Sequence, residues 1–558
     1  MFKKSKLSTV PTLFTGLSQQ IGEKKIKVLE DPEAWQNRFY DVITSRIDES
    51  IFKELYCDGN GRPNAPIRQL IGMQILKEAN DWTDEQLFES CSFNILVMRA
   101  LGLNNLSDNL PSPATYYNFN LANLNHEQDT GINLIDVAFT KLSTDQVLRF
   151  NINGSAIRMD SKLIQSNIAK MTRLQLALSV VIKFYKSFVS GMEQVLSKAE
   201  QKELELICSK LPEQHTYRLT KESSHKYLEK LGELIQKLIE KYSGLETEEY
   251  LLLNRFFEEH FEVDKQDNQS PPKPRTMKGQ GGNTLQSPHD PEATYRNKPG
   301  TKPQKVAGFI SNITDTCYEG EDKEEAKNHL SLITSVQTEP VTYSDDKFFI
   351  EAVNRSEEVL NSKIKSVLTD GAFSSYENEQ KLNDQADKGE KIKWYHTGMQ
   401  GAEGHYDFEQ ISEDKYKVTD KRTGLEQITK KTAGGKFRIT EHEDVKAKYR
   451  YFKLKTIMNY FRRKAKETYP KWVFGQRANG ESTIHQVFCK LDGHKTRYRG
   501  LHRNHCYVLA RCFWVNFKRI MVKTKNTSHE CIYFLNLIIQ TWIVLVNYRI
   551  RIIGDVRN

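Results

Sequence analysis

Two strand-like runs, each closing on an aspartate and lying far apart in the chain, constrain the fold more than any other feature. Ser155-Ala-Ile-Arg-Met-Asp160 is one, and Ile364-Lys-Ser-Val-Leu-Thr-Asp370-Gly371 is the other. Asp370 follows Asp160 by 210 residues, so only tertiary structure can bring them together. A third acid, Glu481, follows Asp370 by 111 residues in the segment Arg477-Ala-Asn-Gly-Glu481-Ser-Thr-Ile-His485. There Arg477, Glu481 and His485 recur every four residues, which on a helix sets all three on one face.

The segments around these acids predict the fold class. Residues 1–150 read as an all-α N-terminal domain. Asp31-Pro-Glu-Ala-Trp35 is expected to open one helix with proline just inside its start, and Pro66 to Leu76 forms a second. Thr83-Asp-Glu-Gln86 is a capping-box signal, and a further helix is expected near Ser112-Pro-Ala-Thr. Short helices joined by tight turns suit a DNA end-binding module, and equally any small helical bundle. Residues 151–170 hold the first strand with Asp160. Residues 171–263 are expected to be a helical insertion, because Leu228, Leu231, Leu234, Ile235, Leu238 and Tyr242 recur at three and four residues.

Residues 264–304 are rich in proline, glycine and polar side chains and read as a flexible linker. Residues 305–522 return to mixed structure. Strands are expected at Lys305–Ile313 and Leu330–Val336, a helix at Asp345–Leu360, the Asp370 strand, and two further strands at Tyr416–Asp420 and Lys436–Thr440. A basic helix from Val445 to Lys466, the Glu481 segment and a last helix near His505 to Ile520 follow. Without the insertion, the order is strand with acid, strand, strand, helix, strand with acid. That is the order of an α/β ribonuclease H-like core, a mixed sheet with helices on both faces.

Bulk properties agree with a polyanionic partner without requiring one. Lysine and arginine number 81 against 72 acids, a formal net charge of +9 over 558 residues. Eight cysteines, at 57, 91, 208, 317, 489, 506, 512 and 531, include no C-x-x-C pair and read as buried or free thiols in a reducing compartment. His502, His505, Cys506 and Cys512 fit no usual zinc spacing, and helix packing is the better reading of them. No apolar stretch follows the basic N-terminus, so no signal peptide is expected. Residues 523–558 form an apolar tail of unassigned role. Its run from 531 to 547, broken by Asn536, Gln540 and Asn547, falls short of the roughly 20 apolar residues of a membrane span. A cytoplasmic protein, associated with the nucleoid when bound to DNA, is the expectation.

The chemistry that three such acids can run is two-metal phosphoryl transfer, in which one ion activates the attacking oxygen and the other stabilises the leaving oxygen. Mg²⁺ takes oxygen ligands and keeps several waters, so a few carboxylates suffice. Asp160, Asp370 and Glu481 are the candidate catalytic and metal-ligating residues. Arg477 beside Glu481 could grip a phosphate bidentately. Downstream, Lys490, Arg497, Arg499 and Arg503 interleave with Tyr498 and His502, a pattern suited to phosphates and stacked bases. Taken singly, an Asp after a strand is a common cap and an Arg/Glu pair at four-residue spacing is usually a surface ion pair. Their joint order, with Gly371 after the second acid and the basic run after the third, carries the functional reading.

Over nearly its whole length, to about residue 520, the chain resembles the DDE transposases of bacterial insertion sequences. The resemblance rests on Leu70-Ile-Gly-Met-Gln-Ile-Leu76 and Trp82-Thr-Asp-Glu-Gln-Leu87 in the helical start, and on Arg158-Met-Asp160-Ser-Lys-Leu-Ile around the first aspartate. It continues through Asp290-Pro-Glu-Ala-Thr294, Gly308-Phe-Ile-Ser-Asn-Ile313 and Ser344-Asp-Asp-Lys347. It ends with Leu368-Thr-Asp370-Gly-Ala-Phe373, Arg477-x-x-x-Glu481 and Arg497-Tyr-Arg-Gly-Leu501. The resemblance implies a ribonuclease H-like core and two Mg²⁺ ions per active site, with Mn²⁺ able to substitute. Its DNA partners would be the terminal inverted repeats and target DNA, and a homodimer or larger assembly would hold two ends. Water would first free a 3′-hydroxyl at the element end, and that hydroxyl would then attack target DNA. Phe474 and Phe488 stand where relatives often carry tyrosine and lysine, and residues 371–480 hold no cysteine where many relatives have a cysteine-rich block. An inactivated or domesticated DNA-binding copy is the alternative, and a helical interaction protein with incidental acids is the weaker third reading.

Overall fold

The computed structural model describes residues 2–4, 22–57, 63–103, 108, 110–152, 154–192, 196–263, 271–276, 281–298, 304–386, 392–398, 404–412, 414–440 and 448–524. Part of the expected linker and nearly all of the apolar tail lie outside these residues.

The centre is a mixed α/β core around a six-stranded sheet. Its strands are β1 (Ala156–Gln165), β2 (Thr294–Lys298), β3 (Gln304–Cys317), β4 (Ile333–Pro340), β5 (Ser366–Thr369) and β6 (Lys393–His396). β3 lies antiparallel to β1 along its length, and its other edge carries β2 and β4 in succession, both antiparallel to it. On the opposite side of β1 run β5 and then β6, both parallel. Parallel pairing needs both faces covered, and the buried apolar positions Ile157, Met159, Ile313, Val336 and Val367 meet that need.

β1 continues to Gln165, five residues past the expected tip, because Ser161-Lys-Leu-Ile pairs on with Ile310–Asn312 and beyond. Asp160 therefore sits inside a strand. The sheet also reaches into the expected linker: Thr294–Lys298 joins β3 through main-chain hydrogen bonds, which need no apolar side chains. The Asp345–Leu360 helix has the expected bounds.

Several helices before β1 start at side-chain caps. Thr83 and Gln86 form the complete capping box, and the Ser112 hydroxyl accepts from the Thr115 N–H with Pro113 opening the helix. Asp31 ends the Glu23–Glu30 helix instead of opening the next, which starts at Trp35. Helix 501–524 packs into this bundle: Phe39 meets Phe517 edge to face, and Phe139 meets Phe513 in the same way. Arg511, 2% exposed, donates to the carbonyls of Glu78, Ala79 and Val487. That satisfies helix-end carbonyls that would otherwise be orphaned.

The helices Arg173–Met192, Lys198–Cys208, Lys221–Lys241 and Glu248–His260 form a separate apolar cluster, in which Leu228, Leu231, Leu234, Ile235 and Leu238 are all buried. A third cluster lies under two small antiparallel sheets between Tyr406 and Phe452. Here Tyr449–Phe452 is a strand where a helix was expected, and the helix runs from Leu454 to Glu467. Phe452, buried, fits the strand's inner face, and pairing with Phe437–Thr440 overrides local helical preference.

Candidate active site

The register between β1 and β5 sets the first two acids side by side. Ala156 pairs with Ser366, Ile157 with Val367 and Arg158 with Leu368, a constant offset of 210. Carried two residues further, this offset sets Asp160 level with Asp370, about one strand spacing apart. Just past the end of β5, Asp370 caps the short turn Gly371–Phe373 and accepts from the Ala372 N–H at 2.9 Å. Asp160 accepts from its neighbour Ser161 N–H at 2.9 Å.

The Lys471–Phe488 helix lies across this face of the sheet. Arg158 and Asp160, two apart on β1, point to the same side, and both meet that helix. Arg158 donates to the Gln476 carbonyl at 3.0 Å, and Arg477 pairs with Asp160 at 3.2 Å. Gly480 lets the helix come close: a Cβ there would sit 3.3 Å from Arg477 Nη1 and 3.6 Å from Arg158 Cδ. Glu481, four residues after Arg477, is exposed on the same face.

Charge crowding marks the site. Burial pushes the Asp160 carboxyl above the ordinary carboxylate range; Arg477 opposes this, and the charges of Asp370 and Glu481 add to it. Burial raises Asp370 as well, with Asp345 adding to the shift while the Ala372 N–H, Arg477 and Lys298 oppose it. Arg477 is itself buried, and its Nε and Nη1 find no hydrogen-bond partner among the described residues. A guanidinium with two orphaned donors beside clustered acids has unused capacity for an anion.

Asp345, from the Ser344-Asp-Asp-Lys347 block of the resemblance, stands here too, with two lysines that sequence reasoning missed. Asp345, buried at the start of its helix, accepts from the Ser161 hydroxyl and lies 3.6 Å from Arg296. Lys162, on the same side of β1 as Asp160, has its pKa lowered by burial, with Lys298 adding to the effect. The alternation that places Asp160 inward already puts Lys162 beside it; Lys298 carries no comparable signal.

The other candidate residues scatter. Arg497 donates to the Trp82 carbonyl and pairs with Asp81, joining the β1 side to the helical N-terminal region. Arg499 donates to the Asn167 carbonyl at 2.8 Å, while Lys490 and Arg503 are exposed. His502 pairs with Glu127, and His505 bonds Thr338. Cys506 and Cys512 are buried. Among the described residues, no disulfide links the cysteines, and no group of three His, Cys, Asp or Glu side chains already converges as a metal cage. No helix among them is long and apolar enough to cross a membrane.

Residues 27–120 match the family model described as a transposase domain, DUF772. No curated protein and no solved structure gives a significant match to the chain. The match covers the helical region that ends in the Pro113–Thr130 helix and includes the capping box at Thr83. The chain therefore carries a transposase domain at residues 27–120, consistent with an insertion-sequence transposase.

Proposed function

We propose that the chain is a DDE transposase that hydrolyses a phosphodiester at element ends and joins the freed 3′-hydroxyl to target DNA. The observations that carry this reading are the parallel register of Ala156–Arg158 with Ser366–Leu368, which leads both strands toward their acids, the mutual charge effect of Asp160 and Asp370, and the buried Arg477 paired with Asp160. The strand order β4-β3-β1-β5-β6, with only β3 running against the rest, supports a ribonuclease H-like core.

Asp160, Asp370 and Glu481 would hold Mg²⁺. Their hard carboxylate oxygens suit it, and the two aspartates, raised first by burial and then by neighbouring acids, are groups whose charged form a bound cation would favour. When bound, two such ions supply activation of the attacking oxygen and stabilisation of the leaving oxygen. Arg477 keeps one donor on Asp160 and sets its positive charge beside the acids; its buried Nε and Nη1 would reach a non-bridging phosphate oxygen only after the side chain shifts. Lys162 and Lys298 add positive charge beside the acids, offsetting the phosphate. Asp345 positions β1 through Ser161. Arg477, buried against β1, keeps the phosphate grip on a rigid helix and not on a loop.

The test begins with the DNA flanking the reading frame. Terminal inverted repeats found there would be placed on a plasmid and incubated with the full chain and Mg²⁺ or Mn²⁺. The expected product is a nick or break at the repeat ends carrying a 3′-hydroxyl, abolished in Asp370→Ala and Glu481→Ala. Undiminished cleavage by either variant would sink the site assignment. Salt-sensitive end binding without any product would favour the binding-only alternative.

A further inference from the structure

On the opposite side of the Lys471–Phe488 helix from Arg477 and Glu481 lies an open cleft of about 840 Å³. Gln476, Asn479, Ser482 and Gln486 present that helix's rear to it, which follows from about 100° of rotation per residue. The cleft belongs neither to the paired acids nor to the basic run after Glu481.

Its lining is one-signed. Arg158, Lys323, Lys327, His329, Lys518 and Arg519 contribute to it, and no carboxylate does. Two of these cations are partly neutralised from behind. Arg158 holds the buried Asp315 through two bonds of 2.8 Å, and Arg519 reaches the same carboxylate at 3.0 Å. Two guanidiniums sharing one carboxylate leave the floor with a net positive charge. Lys327 pairs with Glu324 at 2.7 Å and adds no net charge. Lys323 and Lys518 are exposed and make no ion pair among the described residues. His329 adds a buried Nε2 without a hydrogen-bond partner. Burial and Arg158 lower this ring's pKa to about 4, so it stands neutral and able to accept or donate.

An open, cationic cleft without a matching anion fits a phosphate chain that passes through it, better than a small ligand that would need enclosure. We propose that this cleft is a second DNA contact, binding the phosphodiester backbone of a duplex without reading its bases. The choice of DNA as the polyanion rests on the transposase reading; the unmatched positive charge does not. The helix that carries Glu481 would then have DNA on both of its sides, one duplex at the acids and a second behind.

The test uses the full chain and a fluorescein-labelled duplex of arbitrary sequence, with anisotropy measured across a salt series. Lys323→Glu combined with Lys518→Glu should weaken binding about 10- to 100-fold. It should also flatten the slope of log affinity against log salt by roughly 2, one unit for each phosphate that is no longer neutralised. Both side chains are exposed, so the fold should be unaffected, and circular dichroism would check it. A control with Lys415→Glu and Lys430→Glu, exposed on the small sheets, changes net charge equally. The proposal fails if the cleft variant binds like wild type, or if the control weakens binding as much. It also fails if the wild type binds inorganic phosphate or a nucleotide but no duplex. The cleft variant leaves Asp160, Asp370 and Glu481 untouched, so a failed cleavage assay with intact duplex binding at the cleft would overturn the catalytic reading and leave the cleft standing.

Discussion

Two aspartates on neighbouring strands, Asp160 on β1 and Asp315 on β3, face the same helix with opposite electrostatics. Burial works against the Asp315 carboxylate, yet Arg158 and Arg519 more than offset it and hold its pKa below the usual range. Thr483 completes the set with a hydrogen bond of 2.7 Å. Asp160 has only part of one guanidinium, faces two other acids and is shifted upward. A buried carboxylate with every lone pair matched is a fastener. One left crowded and under-matched, beside an arginine with idle donors, is poised for a charged ligand. Here the fastener holds the Glu481-bearing helix on the sheet, so that the poised group can meet it.

Breaking the fastener should have the largest effect. Asp315→Ala would leave Arg158 and Arg519 buried without their shared anion, a destabilisation of about 3–5 kcal/mol. Urea denaturation would read this as a lower midpoint, and an unchanged midpoint would mean that the network contributes nothing to stability. Arg477→Lys is next. It keeps the charge on Asp160 but removes the planar fork, so cleavage should fall about 10- to 100-fold with the denaturation midpoint little changed. A fall in both would make Arg477 a fastener like Arg158.

Asp370→Asn sharpens the contrast in the opposite direction. Removing one of the crowded charges should raise Tm by about 2–4 °C at neutral pH in metal-free buffer. Added Mg²⁺ should raise the Tm of the wild type but not that of this variant. The smallest effect is on pH dependence. A carboxyl with a raised folded pKa, such as Asp160, contributes stability that is present below its unfolded pKa near 4 and is lost as pH rises through the folded value. A carboxyl with a depressed one, Asp315, contributes stability present above that unfolded pKa and lost as pH falls through the folded value. In metal-free buffer, as pH rises above about 4 through the folded Asp160 value, Asp160→Asn should therefore flatten a decline in Tm that wild type shows.

Much of this was legible in the residues. Local signals placed the capping box at Thr83, the Ser112 cap and the Asp345–Leu360 helix, because each depends on side chains reaching their own backbone or on one helical stripe. The stripe from Leu228 to Leu238 likewise announced its own buried face. Less visible was everything settled by pairing. Tyr449–Phe452 reads as helix until Phe437–Thr440 lies beside it, and Thr294–Lys298 reads as linker until β3 supplies hydrogen bonds. Arg477 and Arg497 look alike as basic residues near Glu481, yet one is buried against Asp160 and the other is spent on Asp81 and the Trp82 carbonyl.

Most helices, the two acid-bearing strands, and the three acids at their intervals can be read along the chain. They follow from periodicity, capping and side-chain chemistry, which act over a few residues. Folding in three dimensions added the rest. The 210-residue interval equals the register offset between β1 and β5, which leads Asp160 and Asp370 toward one another at the strand ends. Burial separated the matched carboxylate from the crowded one and left a cationic cleft behind the Glu481-bearing helix. Register and burial depend on which distant groups exclude water from each other, and no local spacing encodes that.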